Sequence, residues 1–187
     1  MLVDARCDVV AFHCTANSTA EGTAGEDKLV AALRHAGAPR ATSTATAIRS
    51  AFDALSARRI VLITPYSQET TDHEAEFLRH AGYEVLAARG FGLKGSDDYC
   101  ATPAQFWRDR ALEAARPDAD CYLLSCANIS TVPVIAEIEQ KLGRPVVSSN
   151  QAVIFNALRL LGMTDRRNCP GRVFEALTGP SALRATA

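Results

Sequence analysis

Two short strings of the chain share a pattern that can carry chemistry. Cys7-Asp8-Val9-Val10-Ala11-Phe12-His13-Cys14-Thr15-Ala16-Asn17-Ser18-Thr19 runs from an apolar stretch into a cysteine and then into small polar residues. Asp120-Cys121-Tyr122-Leu123-Leu124-Ser125-Cys126-Ala127-Asn128-Ile129-Ser130-Thr131 does the same around a second cysteine. A thiol at the carboxyl end of a strand, just ahead of a helix, meets free N–H groups and a helix dipole that favour an anion by about 0.3–1 kcal/mol. That field raises the thiolate fraction and also receives a carboxylate. Two such thiols on opposite faces of a substrate supply a base or nucleophile on one side and a proton donor on the other. The intermediate is an enediolate or carbanion, which hydroxyl and backbone donors must stabilise. Thr15, Ala16, Ala127 and Asn128 follow the two cysteines and are the candidate donors. The echo is short, and chance repetition is the competing reading.

The other polar residues have plainer readings beside functional ones. Cys7, Cys100, Cys121 and Cys169 are expected to pack as small hydrophobes. His13 precedes Cys14, so strand alternation turns it to the other side of the pleat, in a structural or surface role. Tyr66 follows Pro65 at the end of an apolar run, where it either donates to a carboxylate or packs a turn. Ser148-Ser149-Asn150-Gln151 either caps a helix or lines a cleft. None of the six cysteines forms a Cys-x-x-Cys pair, so a structural zinc site is not expected.

These residues need a frame, and the hydrophobic pattern supplies one. Asp8 to Phe12, Arg40 to Ser43, Arg59 to Thr64, Glu84 to Ala88, Cys121 to Ser125 and Pro145 to Ser148 read as strands. Their continuous apolar runs suit sheets covered on both faces. Gly25 to His35, Thr44 to Leu55, Thr70 to Ala81, Pro103 to Ala115, Val132 to Leu142 and Gln151 to Leu161 carry helical periodicity. Gly82, Gly143 and Gly162 stand at three of the helix ends. Strands alternating with helices predict an α/β fold with parallel sheets flanked by helices. Gly90 to Thr102 is an active-site loop or a surface excursion. After Met163 no period is evident, and Pro170, Gly171, Gly179 and Pro180 break any long helix.

Composition narrows the function. The chain has 187 residues, 48% hydrophobic and 22% charged, with Lys+Arg 20 against Asp+Glu 21. A chain of this size buries about 70% of its unfolded surface and needs no disulfide or metal to hold a core. Balanced charge, with no basic run and no aromatic platform, argues against a nucleic-acid partner. No apolar run approaches the roughly 20 residues that span a bilayer, so no membrane partner is expected. Met1-Leu2-Val3 is followed at once by Asp4 and Arg6, so no signal segment forms. A cytoplasmic chain with its cysteines as free thiols is the expectation.

The strings Phe12-His13-Cys14-Thr15-Ala16-Asn17-Ser18, Ile63-Thr64-Pro65-Tyr66, Leu124-Ser125-Cys126-Ala127-Asn128 and Pro145-Val146-Val147-Ser148-Ser149-Asn150-Gln151 together resemble the aspartate/glutamate racemase superfamily. More narrowly, they are similar to its maleate cis–trans isomerase and arylmalonate decarboxylase branch, over about Arg6 to Gly162. The resemblance implies two pseudo-symmetric lobes with the active site in the cleft between them, and no metal or organic cofactor. It implies residues 1–56 plus 144–187 as the first lobe and 57–143 as the second. Cys14 and Cys126 would be the catalytic pair. Thr15, Tyr66 and the backbones of Ala16 and Ala127 would hold a carboxylate. The decarboxylases of the branch keep only the second cysteine, with glycine at the first. Both cysteines are present here, so the resemblance implies a cofactor-independent isomerase or racemase of a small carboxylate, in a branch that often forms homo-oligomers. The alternatives are an arylmalonate-type decarboxylase and a non-catalytic carboxylate-binding homologue. Only 13 residues precede Cys14, fewer than the family's opening strand, loop and helix occupy, so the first lobe is expected to lack its N-terminal strand. Phe91 to Asp98 does not show the second cleft asparagine that the maleate isomerases carry.

Overall fold

The computed structural model describes residues 4–166 and 169–177. Met1, Leu2 and Val3, and Gly179 and Pro180 of the tail, lie outside the described residues. In chain order the elements are β1 (Val10–Phe12), α1 (Thr15–Thr19), α2 (Gly22–His35), β2 (Ala41–Ser43), α3 (Thr44–Ala54), β3 (Arg59–Thr64), α4 (Gln68–His80), β4 (Glu84–Gly90), α5 (Ser96–Ala101), α6 (Ala104–Glu113), β5 (Cys121–Leu124), α7 (Val132–Leu142), β6 (Val146–Ser148) and α8 (Ser149–Leu160). A 3₁₀ turn follows at Arg172–Ala176.

The run Arg-Ile-Val-Leu-Ile-Thr of β3 is apolar on both faces because both faces are covered. It pairs in parallel with β4 on one side and β5 on the other, and β5 pairs with β6, giving the order β4-β3-β5-β6. Alternation then sorts the side chains. Ile60, Leu62, Cys121, Leu123 and Val147 join one core with Phe52, Leu78 and Phe155. Val61, Ile63, Tyr122, Leu124 and Val146 join the other, with Trp107, Ile135 and Ile138. This is the expected α/β architecture of parallel sheets flanked by helices.

A second, smaller sheet pairs β1 with β2 in parallel, Val10 opposite Ala41 and Phe12 opposite Ser43. Val10, Ala38 and Ala41 form its small core, on which Val30 and Leu33 of α2 rest half-exposed. Of α2's own residues only Glu26 is fully buried. It accepts hydrogen bonds from Ser43 and Thr46 and pairs with Arg49 at 3.0 Å, tying α2 to the start of α3.

The grouping of 144–187 with the first lobe meets a split pattern. Strand β6 hydrogen-bonds to β5 in the larger sheet, where Val146 and Val147 are buried on both faces. Helix α8, which starts at the next residue, packs along α3 and β2 of the smaller unit. Ser148 and Gln151 close a capping box at that junction, side chain to backbone in both directions. Among the described residues no helix is long and apolar enough to cross a membrane.

Two of the elements, α1 and α5, fall outside the sequence expectation. Both are one-turn helices without an apolar period, Thr-Ala-Asn-Ser-Thr and Ser-Asp-Asp-Tyr-Cys-Ala. One expectation needs correcting with them. Cys100, read as a packed hydrophobe, is exposed, because α5 buries none of its residues. Cys121 is fully buried, as read, and burial pushes its thiol pKa up.

Candidate active site

The two cysteine units leave different sheets and meet at one place. Cys14 follows β1 and takes the N-cap position of α1. Cys126 stands two residues beyond the end of β5, 5% exposed. Their neighbours touch. Thr15 Oγ1 lies 2.9 Å from Ser149 Oγ, and Ser149 Oγ lies 3.5 Å from Ser125 Oγ. Thus the residue after the first cysteine reaches the residue before the second through the first residue of α8. Ala16 packs on the core beneath the second cysteine.

The setting of Cys126 differs from expectation in one respect. No helix starts behind it. Ala127 and Asn128 form a turn, and α7 begins only at Val132. The turn does locally what a helix N-terminus would have done, since the Asn128 N–H donates to Cys126 Sγ at 3.3 Å. Burial is the largest influence on this thiol and raises its pKa. The Tyr66 hydroxyl and the Asn128 N–H act against burial, whereas Glu74 and Cys14 add to it. The balance keeps Cys126 a protonated thiol at neutral pH, suited to giving a proton.

Tyr66 is 8% exposed and faces Cys126, with Cys14 also within electrostatic reach. Burial, then Cys126, push its hydroxyl far above the ordinary tyrosine range, so it can only donate or accept as a neutral phenol. Its backbone is fixed from several sides. The Tyr66 N–H donates to Thr64 Oγ1, whose hydroxyl lies 2.6 Å from that of Thr71. The Tyr66 carbonyl accepts from Gly92 at 2.8 Å. Gly90 passes so close that an added Cβ would overlap Thr71 Oγ1 and lie 2.8 Å from the carbonyl oxygens of Tyr66 and Ser67.

The segment from Gly90 to Thr102 packs against the turn that carries Tyr66. Phe91, Gly92 and Leu93 donate to the carbonyls of Thr64, Tyr66 and Pro65. Tyr99 of α5 stands edge-on to Tyr66, ring centroids 5.9 Å apart, and burial, then Cys126, raise its pKa. The side-chain amide of Asn128 donates to Ser96 Oγ at 3.1 Å, so this candidate donor is turned toward α5.

His13 takes the structural role. Its Nε2 lies 2.7 Å from Asn150 Oδ1, which can only accept, so Nε2 carries the proton. Its Nδ1 lies 2.9 Å from Thr44 Oγ1. Asn150 in turn donates from Nδ2 to the Ala127 carbonyl at 3.2 Å. The Ser148–Gln151 string thus serves both of its readings, with Ser148 and Gln151 capping and Ser149 and Asn150 joining the cysteine units.

Sequence reasoning missed Glu74 beneath the site. It is 2% exposed, and burial lifts its carboxyl pKa to about 7, with Ser125 acting in the opposite direction. The signal was its place on the buried face of α4, between Thr71 and Leu78. Among the described residues no group of three His, Cys, Asp or Glu side chains is placed to hold a metal.

The class that this architecture defines is an α/β protein with two parallel sheets, a cysteine unit following one strand of each. The chain belongs to the arylmalonate decarboxylase family, whose model matches residues 1–174. It is 35% identical over 157 residues to arylmalonate decarboxylase of Bordetella bronchiseptica, covering 82% of this chain and 65% of that one. It is 26% identical over 168 residues to maleate isomerase of Geobacillus stearothermophilus, covering 87% and 67%. The chain thus spans about two thirds of the length of these relatives. A crystal structure of arylmalonate decarboxylase superposes with a TM-score of 0.85 at 32% identity, over 93% of this chain and 78% of that one. Maleate isomerase from Pseudomonas putida shares the fold with a TM-score of 0.86 at 22% identity, over 95% and 74%. These relatives are the branch that the cysteine units indicate.

Proposed function

We propose that the cleft carries out cofactor-independent isomerisation or racemisation of a small carboxylate, with Cys14 and Cys126 as the reacting groups. The observation that supports the reading is the contact of Thr15 Oγ1 with Ser149 Oγ, which itself lies 3.5 Å from Ser125 Oγ, so that the residues adjoining the two cysteines come together. For a maleate-like diacid, the Cys14 thiolate adds to one alkene carbon, and the neighbouring carbon takes the proton of Cys126. The C2–C3 bond is then single and rotates. The Cys126 thiolate takes a proton back from that carbon, the Cys14 sulfur–carbon bond breaks, and the trans diacid leaves. For an aspartate- or glutamate-type substrate, one thiolate removes the α-proton and the other thiol returns one on the opposite face. Tyr66, Thr15 and the N–H groups of Ala16 and Ala127 would hold the carboxylate while charge builds on it. A related maleate cis–trans isomerase from Nocardia farcinica has been crystallised with a covalently bound succinylcysteine intermediate, the species that the addition step forms.

Decarboxylation of an arylmalonate is the second reading, favoured by the family model and by the 35% identity to an arylmalonate decarboxylase. There the carbon–carboxylate bond breaks, carbon dioxide leaves, and Cys126 protonates the enediolate that remains. A substrate panel of maleate, aspartate, glutamate and phenylmalonate, followed by NMR in deuterated water, separates the two. The expected result is conversion of maleate or α-deuteration of an amino acid, abolished by Cys14→Ser and by Cys126→Ser. Turnover of phenylmalonate alone, surviving Cys14→Ser, would overturn the isomerase reading in favour of the second.

A further inference from the structure

Strand β6 is an outer strand of the larger sheet, with β5 on one side only. On that inner side the Pro145 carbonyl accepts from the Tyr122 N–H of β5. On the outer side the N–H groups of Val146 and Ser148 have no strand to pair with, and a bare edge of this kind invites association. Two buried side chains close it. Glu139 Oε1 accepts from Val146 at 2.9 Å, and Gln151 Oε1 accepts from Ser148 at 2.9 Å.

The same two side chains hold residues 170–174. The Arg172 N–H donates to both carboxyl oxygens of Glu139 at 3.1 Å, and Gln151 Nε2 donates to the Pro170 carbonyl at 2.6 Å. Gly171, between them, has φ +102°, and a Cβ there would overlap Gln151 Nε2. Val173 and Phe174 are buried behind it, with Phe174 edge-on to Phe155 of α8.

The Gln151 amide is therefore oriented from two directions. The Ser148 N–H can only donate and the Pro170 carbonyl can only accept, so Oε1 faces the first and Nε2 the second. A capping box is formed as well by glutamate as by glutamine. An amide is required here because a carbonyl stands opposite. Ser149 and Asn150 are the two residues that the box encloses. They are also the two that reach the cysteine units. Ser149 Oγ meets Thr15 Oγ1 at 2.9 Å, and Asn150 meets His13 at 2.7 Å and the Ala127 carbonyl at 3.2 Å. We infer that Gln151 is a positioning residue, through which the segment at 170–174 holds the first turn of α8, and with it Ser149 and Asn150, against the two cysteine units.

That this placement serves turnover rests on the reading of Cys126 as a reacting group, whereas the placement itself does not. Gln151→Glu tests it. An ionised carboxylate keeps the capping box but sets an anion against the Pro170 carbonyl, and once protonated it donates there and restores the bond. Burial beside a carbonyl raises the pKa of that carboxyl, so spectra between about pH 5 and 9 span both forms. Glu139, Arg166, Cys169, Arg172 and Glu175 stand around the same junction, and comparison with the unmodified protein at each pH cancels their titration.

Nuclear magnetic resonance follows the Asn128 N–H, which donates to Cys126 Sγ, and the Asn150 side-chain amide, which donates to Ala127. Both resonances are expected to be displaced in Gln151→Glu at alkaline pH and to return in acid. Gly171→Ala, which presses on the same amide from the other side, should displace them at every pH, and it decides alone if Gln151→Glu does not fold at alkaline pH. For whichever acid the protein converts, kcat of Gln151→Glu relative to the unmodified protein should fall by about two- to tenfold, the worth of one hydrogen bond to the thiol, and recover in acid with KM less changed. Resonances that stay in place at every pH while the melting temperature falls would overturn the inference, as would a displacement that acid does not reverse. If the unmodified protein converts none of the acids and the resonances still move as expected, Cys126 loses its proposed role and Gln151 keeps its own.

Discussion

The side-chain amide of Asn150 holds the carbonyl of Ala127, 3.2 Å away. The other end of the same peptide unit is the Asn128 N–H, which points at Cys126 Sγ from 3.3 Å. Asn150 therefore fixes the one backbone donor aimed at the second thiol. Asn150→Ala is expected to lose two hydrogen bonds, those to Ala127 and His13, at about 1 kcal/mol each. A chain of this length should melt a few degrees lower, at about 2–4 °C per kcal/mol. More specifically, alkylation of Cys126 should slow at fixed pH, because its thiolate loses a donor. A lower melting temperature with unchanged alkylation would show that the peptide stays in place without Asn150.

Gly90 is needed for closeness. A methyl group there would press on the Thr71 hydroxyl and on the carbonyls of Tyr66 and Ser67. Gly90→Ala should destabilise the protein by about 1–3 kcal/mol, the usual range for overpacking, and should displace Tyr66 from Cys126. Thermal melting reads the first effect, and the shift of the Tyr66 ring resonances in NMR reads the second. A variant that melts as the parent does would mean that the β4–α4 contact is looser than described.

Asp120 carries an acid-sensitive part of the stability. It accepts from the backbone N–H groups of Arg58 and Arg59 and pairs with the Arg59 guanidinium at 3.0 Å. The Arg59 side chain is the largest cause, and it lowers the carboxyl from its ordinary 3.8 to about 2. A depressed pKa means that this stabilisation is fully present above about pH 4 and is lost as pH falls through about 2. Asp120→Asn should flatten the dependence of the denaturation midpoint on pH over that window and leave the slope above it unchanged.

The thiols should react in order of exposure. Cys100 is exposed on α5 and is expected to be alkylated first. Cys121 is fully buried, with its pKa raised by burial, and should react only on unfolding. Mass spectrometry of protein sampled during labelling gives the order directly. Labelling of Cys121 as fast as Cys100 under native conditions would contradict the packing of β5.

Much of the frame was legible because burial on two faces leaves an unmistakable run. Ile60 to Ile63 can be little else than a central strand, and the helices that cover it show their period. Helices α1 and α5 were not legible, since five or six residues, most of them small or polar, carry no period. The cysteine pair was visible through its repeated context, yet a helix behind Cys126 was expected where a two-residue turn does the work. Glu74 was hidden for a physical reason. A carboxylate on a helix as charged as α4 reads as solvated until the end of β5 is known to lie over it.

Helix α8 leaves the larger sheet at β6 and lies along α3 of the smaller one. A hinge that parted the two sheets would have to tear Phe155 out of the core that it shares with Phe52 and Val147. It would also sever Ser149 from Thr15 and Asn150 from His13. The two thiols are thus set at a fixed gauge by a strut that belongs to both halves.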